Sequence, residues 1–164
     1  MNHKEPKQGG INVKKLLAVV LVLCVAMGGF AALAQGPEYE MISQTREYLA
    51  DGTPVTVTLY ASTVRTRGGS YQISGHKDYT YGSDWTFTVH GTFKVNQGSS
   101  VSCTASSYGT SISNTSWRCT SGSATHSGAT ATARGTMTRY AMGVAVQTEY
   151  PSVSVSCDKY GNLS

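Results

Sequence analysis

Asp84-Trp-Thr-Phe-Thr-Val-His-Gly-Thr-Phe-Lys-Val95 is the stretch whose reading decides the fold. Trp85, Phe87, Val89, Phe93 and Val95 fall on every second residue, and Gly91 is the one gap in the series. Thr86, Thr88, His90, Thr92 and Lys94 occupy the alternate positions. Successive side chains on a strand point to opposite faces, so the pattern predicts a half-buried strand with an aromatic core side and a hydrated side. The rest of the chain is expected to pack around it.

Upstream, the amino end reads as an address. Lys4, Lys7, Lys14 and Lys15 precede an unbroken apolar run over residues 16–25, and Ala32-Leu33-Ala34 fits the small-x-small rule for signal-peptide cleavage. The expectation is a signal peptide over 1–34 and a single exported β domain over 35–164. The alternative is a retained anchor, since residues 16–34 have about the length needed to span a bilayer. Gly28 and Gly29 interrupt that run, which favours cleavage.

Without the leader the charge nearly vanishes. The chain carries 13 Lys+Arg against 9 Asp+Glu, and four of the basic residues but only Glu5 of the acidic ones precede residue 35. A nearly neutral domain has no bulk field to hold nucleic acid or anionic lipid, so neither is an expected partner after cleavage. All ten tyrosines and most of the serine and threonine lie after residue 34. That composition suits strands and not disorder.

Turn signals divide this part. Asp51-Gly52 separates residues 39–49 from 54–64, the second arm alternating clearly and the first open to a strand or a short helix. Residues 65–83, with Gly68, Gly69, Gly75 and Gly82, read as a long loop containing a short strand near 71–74. Asn96-Gln-Gly98, Tyr108-Gly109 and Ser127-Gly128 read as further turns, and Pro151 breaks the last apolar run. Eight or nine short strands joined this way predict an all-β antiparallel sandwich or a partly open barrel.

The spacing of Cys103, Trp117 and Cys157 resembles an immunoglobulin-like domain, in which a core tryptophan packs on a disulfide between two sheets. Two features differ: only seven residues follow Cys157, and Val155 stands where that family has tyrosine. Gly82-Ser-Asp-Trp-Thr-Phe-Thr-Val-His-Gly-Thr-Phe93, with Ser-Cys-Thr at 102–104 and Val-Ser-Cys at 155–157, is similar to small exported proteins of Gram-positive bacteria with no assigned activity. That resemblance implies export and an all-β fold.

Three cysteines follow the leader, and Cys103 and Cys157 each end a Val-Ser-Cys run on an apolar strand face. A Cys103–Cys157 disulfide is therefore expected, with Cys119 unpaired. The Cys103–Cys119 bridge is the alternative, because loop closure separates the two by only about 1 kcal/mol.

Motifs for catalysis are weak. No Gly-x-Ser-x-Gly elbow occurs, and no histidine or cysteine spacing suits a metal, so neither metal nor cofactor is expected. Asp78 with Asp84, or Glu38, Glu40 and Glu47, are the carboxylates a glycosidase would need in pairs. Binding reads better. Tyr71, Tyr79 and Tyr81 with Arg67, His76 and Asp78 gather rings and hydrogen-bonding groups in one region. Rings hold the C–H faces of sugars, so these residues are the candidate site for a cell-wall glycan, or for a surface protein. Threonine rows at 86, 88, 92 and at 130, 132, 136, 138 raise a third possibility, an ordered surface-binding face. The expected function is thus a secreted or cell-surface non-catalytic β module, with glycan binding as the sharper alternative and a secreted hydrolase as the rival class.

Overall fold

The computed structural model describes residues 38–64 and 69–164. The leader expected over 1–34 and the candidate Arg67 lie outside the described residues. Within the described residues the chain is all β, with nine strands and no helix. Strands β1 (Glu40–Tyr48), β2 (Pro54–Val64), β3 (Ser70–Tyr81), β4 (Trp85–Asn96) and β5 (Ser100–Ile112) form an antiparallel meander in sequence order. A second sheet holds β6 (Trp117–Ser127), β7 (Thr130–Ala141), β8 (Val144–Glu149) and β9 (Ser152–Ser156). Neither sheet closes into a barrel, and the pair forms a sandwich.

β4 is the central plank, as its alternation predicts. Trp85, Phe87, Val89, Phe93 and Val95 are all buried, and Thr86, Thr88, His90 and Thr92 are half-buried on the other face. Opposite them β7 presents Ala131, Ala133, Gly135 and Met137, and β9 presents Val153 and Val155. Small residues on one sheet receive large rings from the other. A methyl group at Gly135 would sit 2.5 Å from the Phe87 ring.

The second sheet is effectively three strands wide. β7 pairs along its length with β6, while its other edge pairs first with β9 and then with β8. The edge strand is split at Pro151, which has no N–H to give to a ladder. Gly135 N–H still donates to Pro151 O at 3.0 Å, so the ladder is bridged across the break.

The chain crosses between sheets at 113–116, and Asp84 holds the crossing. Its carbonyl accepts from Ser113 N–H (2.8 Å) and Asn114 N–H (3.0 Å). Its carboxylate accepts from Asn114 Nδ2 (3.0 Å) and Trp117 Nε1 (2.9 Å). This carboxylate is a structural clamp at the strand end.

Three expectations are corrected. Residues 70–81 form one continuous twelve-residue strand and not a loop, paired over its full length with β2 and β4. Tyr108-Gly109 lies inside β5 and not at a turn, because both residues pair in register with Val89 and Thr88 of β4. The Cys103–Cys157 disulfide is not formed; Cys103, Cys119 and Cys157 are all thiols. Cys103 and Cys157 do reach the same end of the core, where their N–H groups donate to the consecutive carbonyls of Gly128 (2.7 Å) and Ala129 (3.0 Å). Each sulfur, however, turns to a nearby carbonyl: Cys103 to Ala105 O at 3.3 Å, and Cys157 to Asp158 O at 3.4 Å. Burial, with Asp158 and Cys103 adding to it, pushes the Cys157 thiol up to about 11.

Among the described residues the strands and the core fall within 40–163, and this part carries its own core. Phe87→Ala, which opens a cavity under a fully buried ring, is expected to destabilise by about 3–5 kcal/mol. Thr88→Ala, one residue along, removes a single part-buried hydrogen bond to Asp78 and is expected to cost about 1 kcal/mol. Urea unfolding of the two variants checks this, and equal losses would contradict the facing.

Candidate functional site

The continuous β3 strand divides the expected site between two faces. Tyr71, Tyr79 and Tyr81 share the inner face with Ile73, and His76 and Asp78 lie on the outer face. Tyr81 is buried, stacked on Trp85 (centroids 5.0 Å apart, planes within 3°) and edge-on to Trp117. Its hydroxyl accepts from Gln147 Nε2 at 2.9 Å. Tyr79 stacks on Trp85 at 5.8 Å, and burial raises its phenol, with Glu149, Tyr81 and Glu47 adding to the effect. Tyr71 donates its hydroxyl to Tyr160 O at 2.8 Å and closes over Gly161, pinning the carboxyl end. These three rings are packing residues. Of the five candidates among the described residues, Tyr79 and Tyr81 meet on Trp85 inside, and His76 and Asp78 share the outer face.

Sequence reading did not anticipate what gathers on the outer face. The register aligns Tyr60, His76 and His90 on three neighbouring strands. Strands lie about 4.8 Å apart, close to the spacing of stacked rings. Tyr60 and His76 stack at 4.5 Å with planes 17° apart, and His90 follows at 5.4 Å. Tyr39, just ahead of β1, sets its ring edge-on to His76 at 4.7 Å. Three rings in register therefore cross the sheet, and Tyr39 packs against the middle one. Because the three rings face one another, the row offers its edges to solvent, and Tyr39, edge-on to its middle ring, remains partly exposed.

Polar groups flank the row. Thr88 donates to Asp78 at 2.8 Å, and hydroxyl pairs join Ser74 to Thr92 (3.4 Å) and Thr80 to Thr86 (3.0 Å). The second sheet carries similar pairs, Thr130 with Ser156 and Thr132 with Ser154, each at 2.8 Å. The threonine rows thus hydrogen-bond across strands and stiffen the faces they cover.

Beside Tyr39 opens a recess of about 450 Å³ lined by Glu38, Tyr39, Glu40, Ile42, Ala61 and Ser62. That volume lies within the range of small-molecule sites, roughly 300–1,000 Å³. A ring and an aliphatic side chain supply apolar wall, while two carboxylates and a hydroxyl supply hydrogen-bonding groups. Asp78 and Asp84 do not share a cleft; one serves Thr88 and the other the crossing between sheets. No cluster of three His, Cys, Asp or Glu able to hold a metal ion occurs among the described residues. Comparisons with protein families, curated proteins and solved structures found no match to this chain.

His76 is the electrostatically tense member of the row. Its Nδ1 is buried and has no hydrogen-bond partner among the described residues. Burial holds the imidazole below its ordinary value, His90 adds to that, and Asp78 opposes it. A lowered folded-state value means that neutral His76 supports the fold above the unfolded-state value near 6.5, and that this support is lost as pH falls through the folded value. The urea midpoint is therefore expected to drop on acidification below about pH 6.5. His76→Phe, which keeps a ring in the stack without the titration, is expected to flatten that drop. An unchanged pH profile in the variant would remove His76 from the account.

Proposed function

We propose that this chain is a secreted or cell-surface, non-catalytic binding module that holds a saccharide at the recess beside Tyr39. The observation that carries the reading is the lining of that recess. Tyr39 and Ile42 present C–H-compatible apolar surface, and Glu38, Glu40 and Ser62 stand where sugar hydroxyls need acceptors. The stack of Tyr60, His76 and His90 supports it, because Tyr39 packs edge-on against the middle ring and is held in place before any ligand arrives. The glycan reading thus moves from the tyrosines of β3 to the outer face and amino-terminal edge of the same sheet. Export rests on the leader's sequence pattern.

The rival class is a hydrolase using Glu38 and Glu40 on the same saccharide. The two would have to flank one glycosidic bond, but they lie two apart on a chain that is entering a strand.

The test is retention on cell-wall polysaccharide and glycan panels by the chain from Gln35 onward. Tyr39→Ala is expected to weaken retention about tenfold by removing the stacking wall, with the fold retained and the melting temperature lowered only by the loss of the edge-on contact with His76. Retention that survives Tyr39→Ala would remove the recess from the proposal. Release of reducing ends from the retained polysaccharide would instead establish the hydrolase.

A further inference from the structure

On the other sheet, the β7–β8 hairpin makes a conformational choice that folding alone does not explain. Ala141 pairs with Val144, leaving Met142-Gly143 as a two-residue turn with φ of 50° and 81°. Positive φ at both positions is the turn that Asn-Gly fills most easily, and an unbranched apolar side chain gains nothing there. Met142 is the one non-glycine described residue in this conformation. Its side chain touches nothing and is 105% exposed. Behind it Val144 (65%) and Val146 (56%) are also exposed on the edge strand, Val144 paired with Ala141 and Val146 at the bulge between the Arg139–Gln147 and Tyr140–Ala145 pairs. Three large apolar side chains thus stand on a tip held in a strained turn, and such strain concentrates where function requires it.

The surroundings of the tip define its partner. Arg118 lies 5.5 Å over the Tyr140 ring at the base of the hairpin, and both line a recess of about 370 Å³ with Thr115, Ser116 and Gly143. Arg139 is exposed on the adjoining strand. Residues 113–118 and 139–148 contain Arg118 and Arg139, and the carboxylates that touch these segments are Asp84, which accepts from Asn114 and Trp117, and Glu149, which accepts from Gln147. The order from the tip inward is therefore apolar, then aromatic, then cationic. That is the order of a lipid surface met from its acyl boundary outward to its phosphates.

We propose that the β7–β8 hairpin docks on an anionic lipid surface, with Met142, Val144 and Val146 entering the headgroup–acyl boundary and Arg118 meeting lipid phosphate in its recess. This face is separate from the saccharide recess, and either can fail without the other. It also revises the expectation drawn from net charge: the domain is nearly neutral, but its two arginines at the hairpin sit at the contact.

The experiment is co-sedimentation of the chain from Gln35 onward with phosphatidylcholine vesicles, with and without phosphatidylglycerol. Binding is expected with the anionic lipid only, weakening with added salt. Met142→Gly is the decisive variant. It relieves the strained φ, so it is expected to raise the melting temperature while weakening vesicle binding about tenfold. Val144→Thr, which keeps the turn and a β-branched strand residue, is expected to weaken binding in the same direction. Arg118→Gln is expected to cost about fivefold and to flatten the salt dependence. Absence of binding to the anionic vesicles would overturn the proposal, as would a Met142→Gly protein that binds them undiminished. Equal binding to neutral and anionic vesicles would overturn the role of Arg118.

Discussion

The sandwich depends on rings from one sheet lying on nearly bare backbone from the other. Phe87 occupies the space a side chain at Gly135 would need, and Tyr108 does the same over Gly122. Within the first sheet Phe93 folds over Gly91, and Leu163 from the carboxyl end fills the place above Gly75. Packed sheets stand about 10 Å apart. Large residues on both inner faces would force them further, whereas rings set against glycine and alanine fill the gap at interior density. Phe87 and Tyr108 are accommodated this way, Trp85 and Trp117 instead pack on each other and on Tyr81, and the Asp84 clamp fixes where the chain passes from one sheet to the other.

With the interior occupied by rings, the chemistry is left to outer faces and edges. The outer face of the five-stranded sheet is polar but ordered, with a stack of rings across its middle and hydroxyl pairs on either side. Its open edge is β1, in which every residue is exposed, and the recess beside Tyr39 lies where that strand begins. The second sheet ends at a split edge strand whose hairpin displays Met142. Both candidate surfaces sit on edges away from the β4–β7 contact, so substitutions there act on binding with little effect on the core.

The fold was legible in sequence where alternation was uninterrupted. Trp85 to Val95 and Val55 to Ala61 read directly as strands, and Asp51-Gly52 read as the hairpin turn between residues 39–49 and 54–64, with Gly52 at φ 82°. Reading failed where alternation was broken for a tertiary reason. In β3 the inner-face series runs Tyr71, Ile73, Gly75, Lys77, Tyr79, Tyr81, and both exceptions have causes outside the strand. Gly75 is required by Leu163, and the Lys77 ammonium is held below its ordinary value by burial beside a face that the second sheet covers only in part. Gly109 was misread as a turn because its pairing with Thr88 on the neighbouring strand is set by register, which local sequence does not show. The ring row was illegible because it is a product of register: Tyr60, His76 and His90 are far apart in sequence, and only the pairing of three strands brings them into line. The disulfide expectation rested on two cysteines reaching one end of the core, which they do, but strand position does not determine where each sulfur points.

The claim that ring-on-glycine packing sets the sheet separation is tested most directly by a double-mutant cycle at Phe87 and Gly135. Gly135→Ala places a methyl against the Phe87 ring and should destabilise by about 1–3 kcal/mol. Phe87→Leu alone should cost a similar amount through lost contact, while making room for that methyl. Urea unfolding of the double variant is therefore predicted to show a loss smaller than the two single losses combined, with a coupling of about 1 kcal/mol or more. Strictly additive losses would mean that the ring and the glycine do not press on one another, and would contradict the account.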